Sequence, residues 1–280
     1  MSRPAPPAPA PDQAARRTIA PFGRRRAPVT RSRSVGAYRL FACRDLAGPP
    51  PRPGQFYMLA AVERWGGGES ERPFLARAFS YLRRRGGELE FLLEDVGPGT
   101  RRLAELAPGD DLWLLGPLGN GFSPPRDDRV ALLVGGGIGI VPLACWEEEL
   151  GPATRALLGF RDAAHAQAAE LLDDPLVATD DGSVGSRGPV TDLLLSELDS
   201  VEAPCVYACG PPAMLEAVRA LCAERGTPAE LAMESGMACG FGACFGCAVP
   251  TRRGHLRLCL DGPVVDAGDL DTALIPGTGH

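Results

Sequence analysis

The sequence predicts a β-barrel plus α/β fold: an antiparallel barrel, then a domain with a parallel sheet, then a small cysteine loop near the C-terminus. Three observations lead there. Short apolar runs separated by Gly and Pro fill the first half of the chain. The pattern then changes to strand–turn–helix units, which favour a parallel sheet covered by helices. Four of the nine cysteines crowd into the last fifty residues.

Bulk properties fit this layout. The chain has 280 residues, 45% of them hydrophobic, enough for two domains and a small appendage. A formal net charge of -6 argues against a nucleic-acid partner, which would call for a basic face. Every basic side chain other than histidine is Arg. Nine cysteines without an export signal read as metal ligands or buried thiols in a reducing compartment, and so as a cytoplasmic protein. The most apolar stretch, 130–146, is broken by glycines and Pro142 and falls short of the roughly 20 residues a membrane span needs.

Residues 1–34 are rich in Pro, Ala and Arg and read as a disordered tail, with a partner-docking arm as the alternative. The pair Arg16–Arg17 lacks the apolar run of an export signal. Residues 35–125 carry the barrel runs VGAYRLFACR, GQFYMLAAV, RAFSYLRR, GELEFLLEDV and DDLWLLGPLG. Residues 126–227 carry the α/β units: VALLVGGGIGIVPLACWEEEL, ATRALLGFR, LLDDPLVATDDG and PCVYACGPPAMLEAVRALCAERG. Residues 228–280 show little periodicity and many glycines. Such a segment needs a staple, which a metal cluster supplies.

The cysteines Cys239, Cys244, Cys247 and Cys259 are spaced C-x4-C-x2-C, then eleven intervening residues, then the fourth. This is the plant-type [2Fe–2S] spacing. Gly240, Gly242 and Gly246 suit a loop that curls around a cluster and aims N–H groups at sulfur. Zinc is the alternative, although zinc sites more often use paired C-x2-C spacings. Cys43, Cys145, Cys205 and Cys222 read as small core residues.

Four further motifs are candidate ligand sites. Arg77–Ala78–Phe79–Ser80 ends a predicted barrel strand, and an Arg three residues before a Ser can hold a flavin's phosphate and ring edge. The same pair could be a surface Arg beside a strand Ser. Gly97–Pro98–Gly99–Thr100 precedes a helix predicted to start just after Thr100; it is either a diphosphate cradle or a plain N-cap. GPLGNGF, 116–122, reads as a tight turn. Gly137-x-Gly139-x-x-Pro142 follows a strand and opens a helix, as a dinucleotide turn does, although a bare glycine turn looks the same. Cys209 and Gly210 end another strand, where a thiol could face a nicotinamide ring or fill a core. No acidic ribose-binding residue can be assigned, and His165, His255 and His280 show no catalytic spacing.

In their order these motifs resemble the ferredoxin reductase-like flavoproteins. Within them the chain looks like the electron-transfer subunits of two-subunit, NAD-linked dihydroorotate dehydrogenases. RAFS, GPGT, GPLGNGF, GGGIGIVP, TDDGS, ACGPPAML, MACGFGACFGC and CLDGP carry the match, from about residue 54 to 263. The resemblance implies FAD held by Arg77, Ala78, Phe79 and Ser80, by the strand at Leu92 and Leu93, and by Gly99 and Thr100. It implies NAD at Gly137, Gly139, Cys209 and Gly210, and a [2Fe–2S] cluster on the four cysteines. The implied path runs from dihydroorotate to the FMN of a partner catalytic subunit, then through the cluster and FAD to NAD, in a heterotetramer of two of each subunit. No residue is implied as an acid–base catalyst. Two departures stand out: the family usually has Pro at Ala78 and an Arg near Glu94, so the middle flavin contact is weakened. A sulfhydrogenase or sulfite reductase subunit, and a non-catalytic redox module, are the competing readings.

Overall fold

The computed structural model describes residues 18–20, 23–66 and 73–275, so most of the expected tail lies outside the described residues. Its first domain is built from β1 (Arg25–Val35), β2 (Tyr38–Arg44), β3 (Phe56–Ala61), β4 (Arg77–Ser80), β5 (Arg83–Arg85), β6 (Glu88–Leu93), the short helix α1 (Pro98–Ala104) and β7 (Asp111–Leu118). The strands pair antiparallel in the order β4-β3-β7-β1-β2-β6-β5, an open half-barrel with β4 and β5 at its edges.

The first strand corrects the expected boundary at residue 34. Residues 25–34 belong to β1, between β2 and β7, and are not part of a disordered tail. Ala27 and Val29 point into the barrel core; after a register shift between Val29 and Arg31 the strand runs half-buried or exposed until Val35, which is buried against the sheet domain. The inside of the half-barrel is packed by Phe41, Tyr57, Leu59, Phe91, Leu93, Leu103 and Leu114, with Phe41 stacked on Phe91 at 5.5 Å.

The second domain runs through β8 (Val130–Gly136), α2 (Ile140–Leu150), β9 (Thr154–Phe160), α3 (Ala163–Ala166), β10 (Leu176–Thr179), β11 (Ser186–Arg187), α4 (Val190–Ser200), β12 (Pro204–Cys209), α5 (Pro212–Arg225) and β13 (Ala229–Ala232). These strands are parallel, in the order β11-β10-β9-β8-β12-β13. Their near-continuous apolar runs, such as the fully buried 131–136 of β8, follow from helices covering both faces. The expected boundary at residue 228 therefore falls too early, because β13 completes the parallel sheet.

The rest of the chain forms the hairpin β14 (Ala248–Thr251) and β15 (Gly254–Arg257). It then returns as β16 (Val264–Asp266), antiparallel to β13. The cysteine segment is thereby tied to the sheet by backbone hydrogen bonds.

The two domains share a core. Phe122 stacks on Trp146 at 5.8 Å, and Tyr207 meets both edge-on at 5.6 and 5.5 Å. The Tyr207 hydroxyl donates to the Ser123 carbonyl at 2.7 Å. Each ring pair adds about 0.5–1.5 kcal/mol beyond area burial, so this trio fixes the barrel against α2 and the sheet.

Candidate functional site

At the barrel edge, β4 presents Arg77 beside the turn before α1. A Cβ built on Gly99 would lie 2.6 Å from Arg77 Nε and 2.9 Å from Cζ, so the guanidinium rests against bare backbone. One arm donates to the Leu75 carbonyl at 2.6 Å. The helix begins at Pro98, three residues earlier than expected. Thr100 sits in its first turn, where its hydroxyl accepts from the N–H of Val96 and of Gly97 at 2.9 and 3.0 Å. R-x-x-S and G-P-G-T are thus one local structure: a guanidinium and a helix start side by side, both suited to phosphate.

Ala78, Phe79 and Ser80 lie on the same strand, with Ala78 exposed and Phe79 packed partly on the barrel core. Leu92 and Leu93 are buried. Leu92 points into the core shared with the sheet domain, and Leu93 into the barrel core. Glu94 follows them and accepts from Arg161 at 2.5 Å, with His165 Nε2 3.3 Å away. The end of β6 thus carries an ion pair whose cation comes from the loop after β9. Asp162 holds the other side of the His165 ring, 2.7 Å from Nδ1. Its carboxyl sits below the usual range, chiefly because of that bond.

In the sheet domain the two glycine motifs come together at the carboxyl ends of adjacent strands, since Gly135 on β8 pairs with Cys209 on β12. The strand order reverses there, which is where open α/β sheets bind ligands. A Cβ on Gly139 would lie 2.2 Å from the Cys209 carbonyl oxygen, and one on Gly210 would lie 2.7 Å from Met214 Cε. Gly137, at φ +53°, faces open space except for the Tyr38 hydroxyl 3.8 Å from its would-be Cβ. Burial pushes the Cys209 thiol well above its usual range, so it stays a neutral lining group.

The four cysteines fall into two pairs. Cys239 and Cys244 share one side of the loop, and Cys247 Sγ lies 3.3 Å from Cys259 Sγ. The Ala243 N–H points at Cys239 Sγ from 3.3 Å, and the Gly246 N–H at Cys244 Sγ from 3.5 Å. Burial alone would raise the Cys239 thiol. The N–H groups of Cys244, Phe241 and Ala243 and the Cys244 thiol outweigh it and bring the group down to about 6. Cys259 moves the other way, to about 12, through burial and its Cys247 neighbour. Among the described residues no three His, Cys, Asp or Glu side chains converge on a single ion point. Two thiol pairs ringed by N–H donors suit a two-iron cluster, with two thiolates for each iron, better than one tetrahedral zinc.

The loop is also fitted to the barrel. Gly240, at φ +77°, lies so close to β3 that a Cβ would be 2.5 Å from Met58 Cγ. Met58 pairs with Ala78 on β4, so the cysteine loop is seated one strand away from the RAFS motif. A second join was not legible in the motifs. The GPLGNGF turn bridges to CLDGP, with Asn120 Nδ2 donating to the Asp261 carbonyl at 3.0 Å and Asn120 aligned with Pro263. GPLGNGF was visible as a turn and CLDGP only as part of the family resemblance; nothing local in either says that they meet.

Half-barrel, switch-point sheet and clustered thiols together define a ferredoxin reductase-like oxidoreductase. Solved structures agree. The NADH-dependent reduced ferredoxin-NADP oxidoreductase, studied for flavin-based electron bifurcation, superposes with a TM-score of 0.76 at 25% identity over 88% of this chain and 90% of its own. The ferredoxin reductase of carbazole 1,9a-dioxygenase, at 23% identity and TM-score 0.61, covers 73% of this chain and 66% of its own and shares the fold. Residues 234–271 match the family described as the iron–sulfur cluster binding domain of dihydroorotate dehydrogenase B. The dihydroorotate dehydrogenase B (NAD(+)) electron transfer subunit of Geobacillus kaustophilus is 38% identical over 267 residues, 89% of this chain and 99% of its own length. That of Clostridium perfringens is 34% identical, covering 78% and 86%. The chain belongs to this family of electron transfer subunits. It is thus an oxidoreductase component that works with a separate catalytic subunit, and these relatives favour the dihydroorotate group over the sulfhydrogenase, sulfite reductase and non-catalytic readings.

Proposed function

We propose that this chain carries electrons from a dihydroorotate-oxidising partner to NAD+, using FAD and a [2Fe–2S] cluster that it holds itself. The observation that carries the reading is the contact of Gly240 with Met58. It seats the cysteine loop on the strand that pairs with RAFS, so cluster and flavin sites share one wall. Three functional units follow: a barrel for FAD from residue 25 to about 125, a sheet for NAD to about 233, and a cluster segment beyond.

Arg77 and the N–H groups at the start of α1 would hold the FAD diphosphate, with Ala78, Phe79 and Ser80 along the ring and the end of β6, at Leu92 and Leu93, behind it. Gly99 leaves the backbone bare so that Arg77 can lie flat beside it, and Thr100 fixes the turn. Gly137, Gly139 and Gly210 would bring NAD against bare backbone at the switch point, with Cys209 as an uncharged lining. Cys239, Cys244, Cys247 and Cys259 would hold the cluster. Bound FAD exchanges hydride with NAD and single electrons with the cluster, and that chemistry belongs to the cofactor. The protein's own part is to hold these groups close and dry: the Phe122–Trp146–Tyr207 core keeps the two domains in one relation, and the buried thiols Cys247 and Cys259 exclude water from one side of the cluster site.

The partner is an FMN-containing catalytic subunit, in a complex of two of each chain, and the assembly is cytoplasmic. The supporting feature is the face around Cys244 and Phe245, both exposed beside the cluster site. The test is co-purification with the catalytic subunit and a dihydroorotate-to-NAD+ assay. Turnover with the complex, and none with either chain alone, is expected. A complex that turns over dihydroorotate at the same rate without this chain's cluster would overturn the reading.

A further inference from the structure

The cysteine loop is electrically bare. Residues 235–249 contain no Asp, Glu, Lys, Arg or His, so the loop offers its thiols N–H donors but no cation of its own. A cation reaches it from outside. Arg257, at the end of β15 and two residues before Cys259, donates through Nη1 to the Gly242 carbonyl at 3.3 Å. Its Cζ lies over the Phe245 ring, 5.1 Å from the centroid. Gly242 stands between Cys239 and Cys244, and Phe245 between Cys244 and Cys247. The guanidinium therefore touches the loop at two points that flank its middle thiol.

The Arg257 backbone is equally engaged. Its carbonyl accepts from Leu260 and Asp261 N–H at 2.9 and 2.7 Å, and its N–H donates to Asp261 Oδ2 at 2.9 Å. The next N–H, of Leu258, donates to the Cys247 carbonyl at 3.1 Å. The turn that carries Cys259 and the side chain that grips the three-cysteine loop thus belong to one residue. Asp261 opposes the charge, with its carboxylate 3.8 Å from Arg257 Nε.

We propose that Arg257 is a positioning residue for the cluster: it ties the three-cysteine loop to the fourth-cysteine turn through Gly242 and Phe245, and its charge, moderated by Asp261, sets how easily the cluster is reduced. The inference rests on the reading of these cysteines as cluster ligands. Reduction adds one negative charge to a site whose loop supplies no cation of its own, so a nearby guanidinium favours the reduced form. Arg suits the task because its planar fork can bond a carbonyl and stack on a ring at once. A merely structural Arg would hold the loop without shifting the redox equilibrium.

The test is a spectroscopic redox titration of the reconstituted full chain, following the paramagnetic signal of the reduced cluster. In Arg257→Gln the reduction equilibrium is expected to fall about tenfold, which is 59 mV for a one-electron couple. Arg257→Lys is expected to stay close to the parent in potential while losing cluster faster in air, because it keeps the charge but not the fork. Asp261→Asn is expected to move the potential upward. A loaded Arg257→Gln protein with the parent's potential, or a lysine variant shifted as far as the glutamine one, overturns the proposal. Should Arg257→Gln take up no cluster, the Asp261→Asn arm decides, and an unshifted potential there overturns it as well. A parent protein that takes up no cluster would instead bring down the functional reading beneath it.

Discussion

The guanidinium of Arg77 lies flat against the backbone of Gly99, 2.6 Å from where a Cβ would stand. The contact joins the start of β4 to the start of α1 and makes a single corner, suited to an anion, from two motifs twenty residues apart. Gly99→Val would drive the guanidinium out of it. A lost charge-assisted hydrogen bond is worth about 1.5–3 kcal/mol, so FAD affinity is expected to fall about 10- to 100-fold. Fluorescence titration of the apoprotein with FAD measures it, and cluster content should stay unchanged.

Gly240 is the corresponding point for the cysteine loop. Its φ of +77° and the 2.5 Å approach to Met58 both exclude a side chain. Gly240→Ala is expected to cost about 1–3 kcal/mol from backbone strain alone and to lower the iron content, while FAD stays bound. Adding Met58→Ala relieves the clash but not the strain, so the double variant should recover part of the cluster. Iron and flavin assays on the same samples distinguish these outcomes.

Gly139 meets backbone rather than a movable side chain, since the Cys209 carbonyl oxygen would lie 2.2 Å from its Cβ. Gly139→Ala must therefore displace α2 or β12. The KM for NADH is expected to rise at least about tenfold, equivalent to roughly 1.4 kcal/mol of lost binding. Steady-state oxidation of NADH with an artificial acceptor measures it, and the flavin spectrum should not change.

Glu216 on α5 anchors the C-terminal strap. It accepts from Arg219 at 2.6 Å, from the Thr272 hydroxyl at 3.0 Å and from the Ala273 N–H at 2.5 Å. The Arg219 contact leads in holding its carboxyl down at about 2, against the opposing effect of burial and with help from the Ala273 and Thr272 bonds. A carboxyl depressed on folding stabilises the protein above its unfolded value near 4.5, and that stability is lost as pH falls toward 2. Glu216→Gln is expected to melt lower at neutral pH and to lose less between pH 4.5 and about 3, by thermal unfolding at several pH values.

How much of this was legible in the sequence depended on how local each signal was. The cysteine spacing and the glycine turn after β8 are contained in a few residues, and both appear where expected. The start of β1 was hidden because Pro28 and outward-facing arginines mask the alternation of Ala27 and Val29. The start of α1 was placed late because Pro98 and Gly99 read as turn residues, although Pro suits a first helical turn. The Glu94–Arg161 pair spans two domains, and the Asn120–Asp261 join links segments over a hundred residues apart. Only folding brings such pairs together, so the sequence did not show that Glu94 is paired with Arg161 in the loop after β9.

Flavin, nicotinamide and cluster sites are expected to communicate within this one chain. Anaerobic addition of NADH to the reconstituted full chain, without its partner, tests it directly by electron paramagnetic resonance at low temperature. The expected result is flavin bleaching together with the signal of a reduced [2Fe–2S] cluster, and loss of that signal alone in Cys244→Ala. Flavin bleaching by NADH with a loaded cluster that stays oxidised would show that the flavin and cluster sites do not communicate.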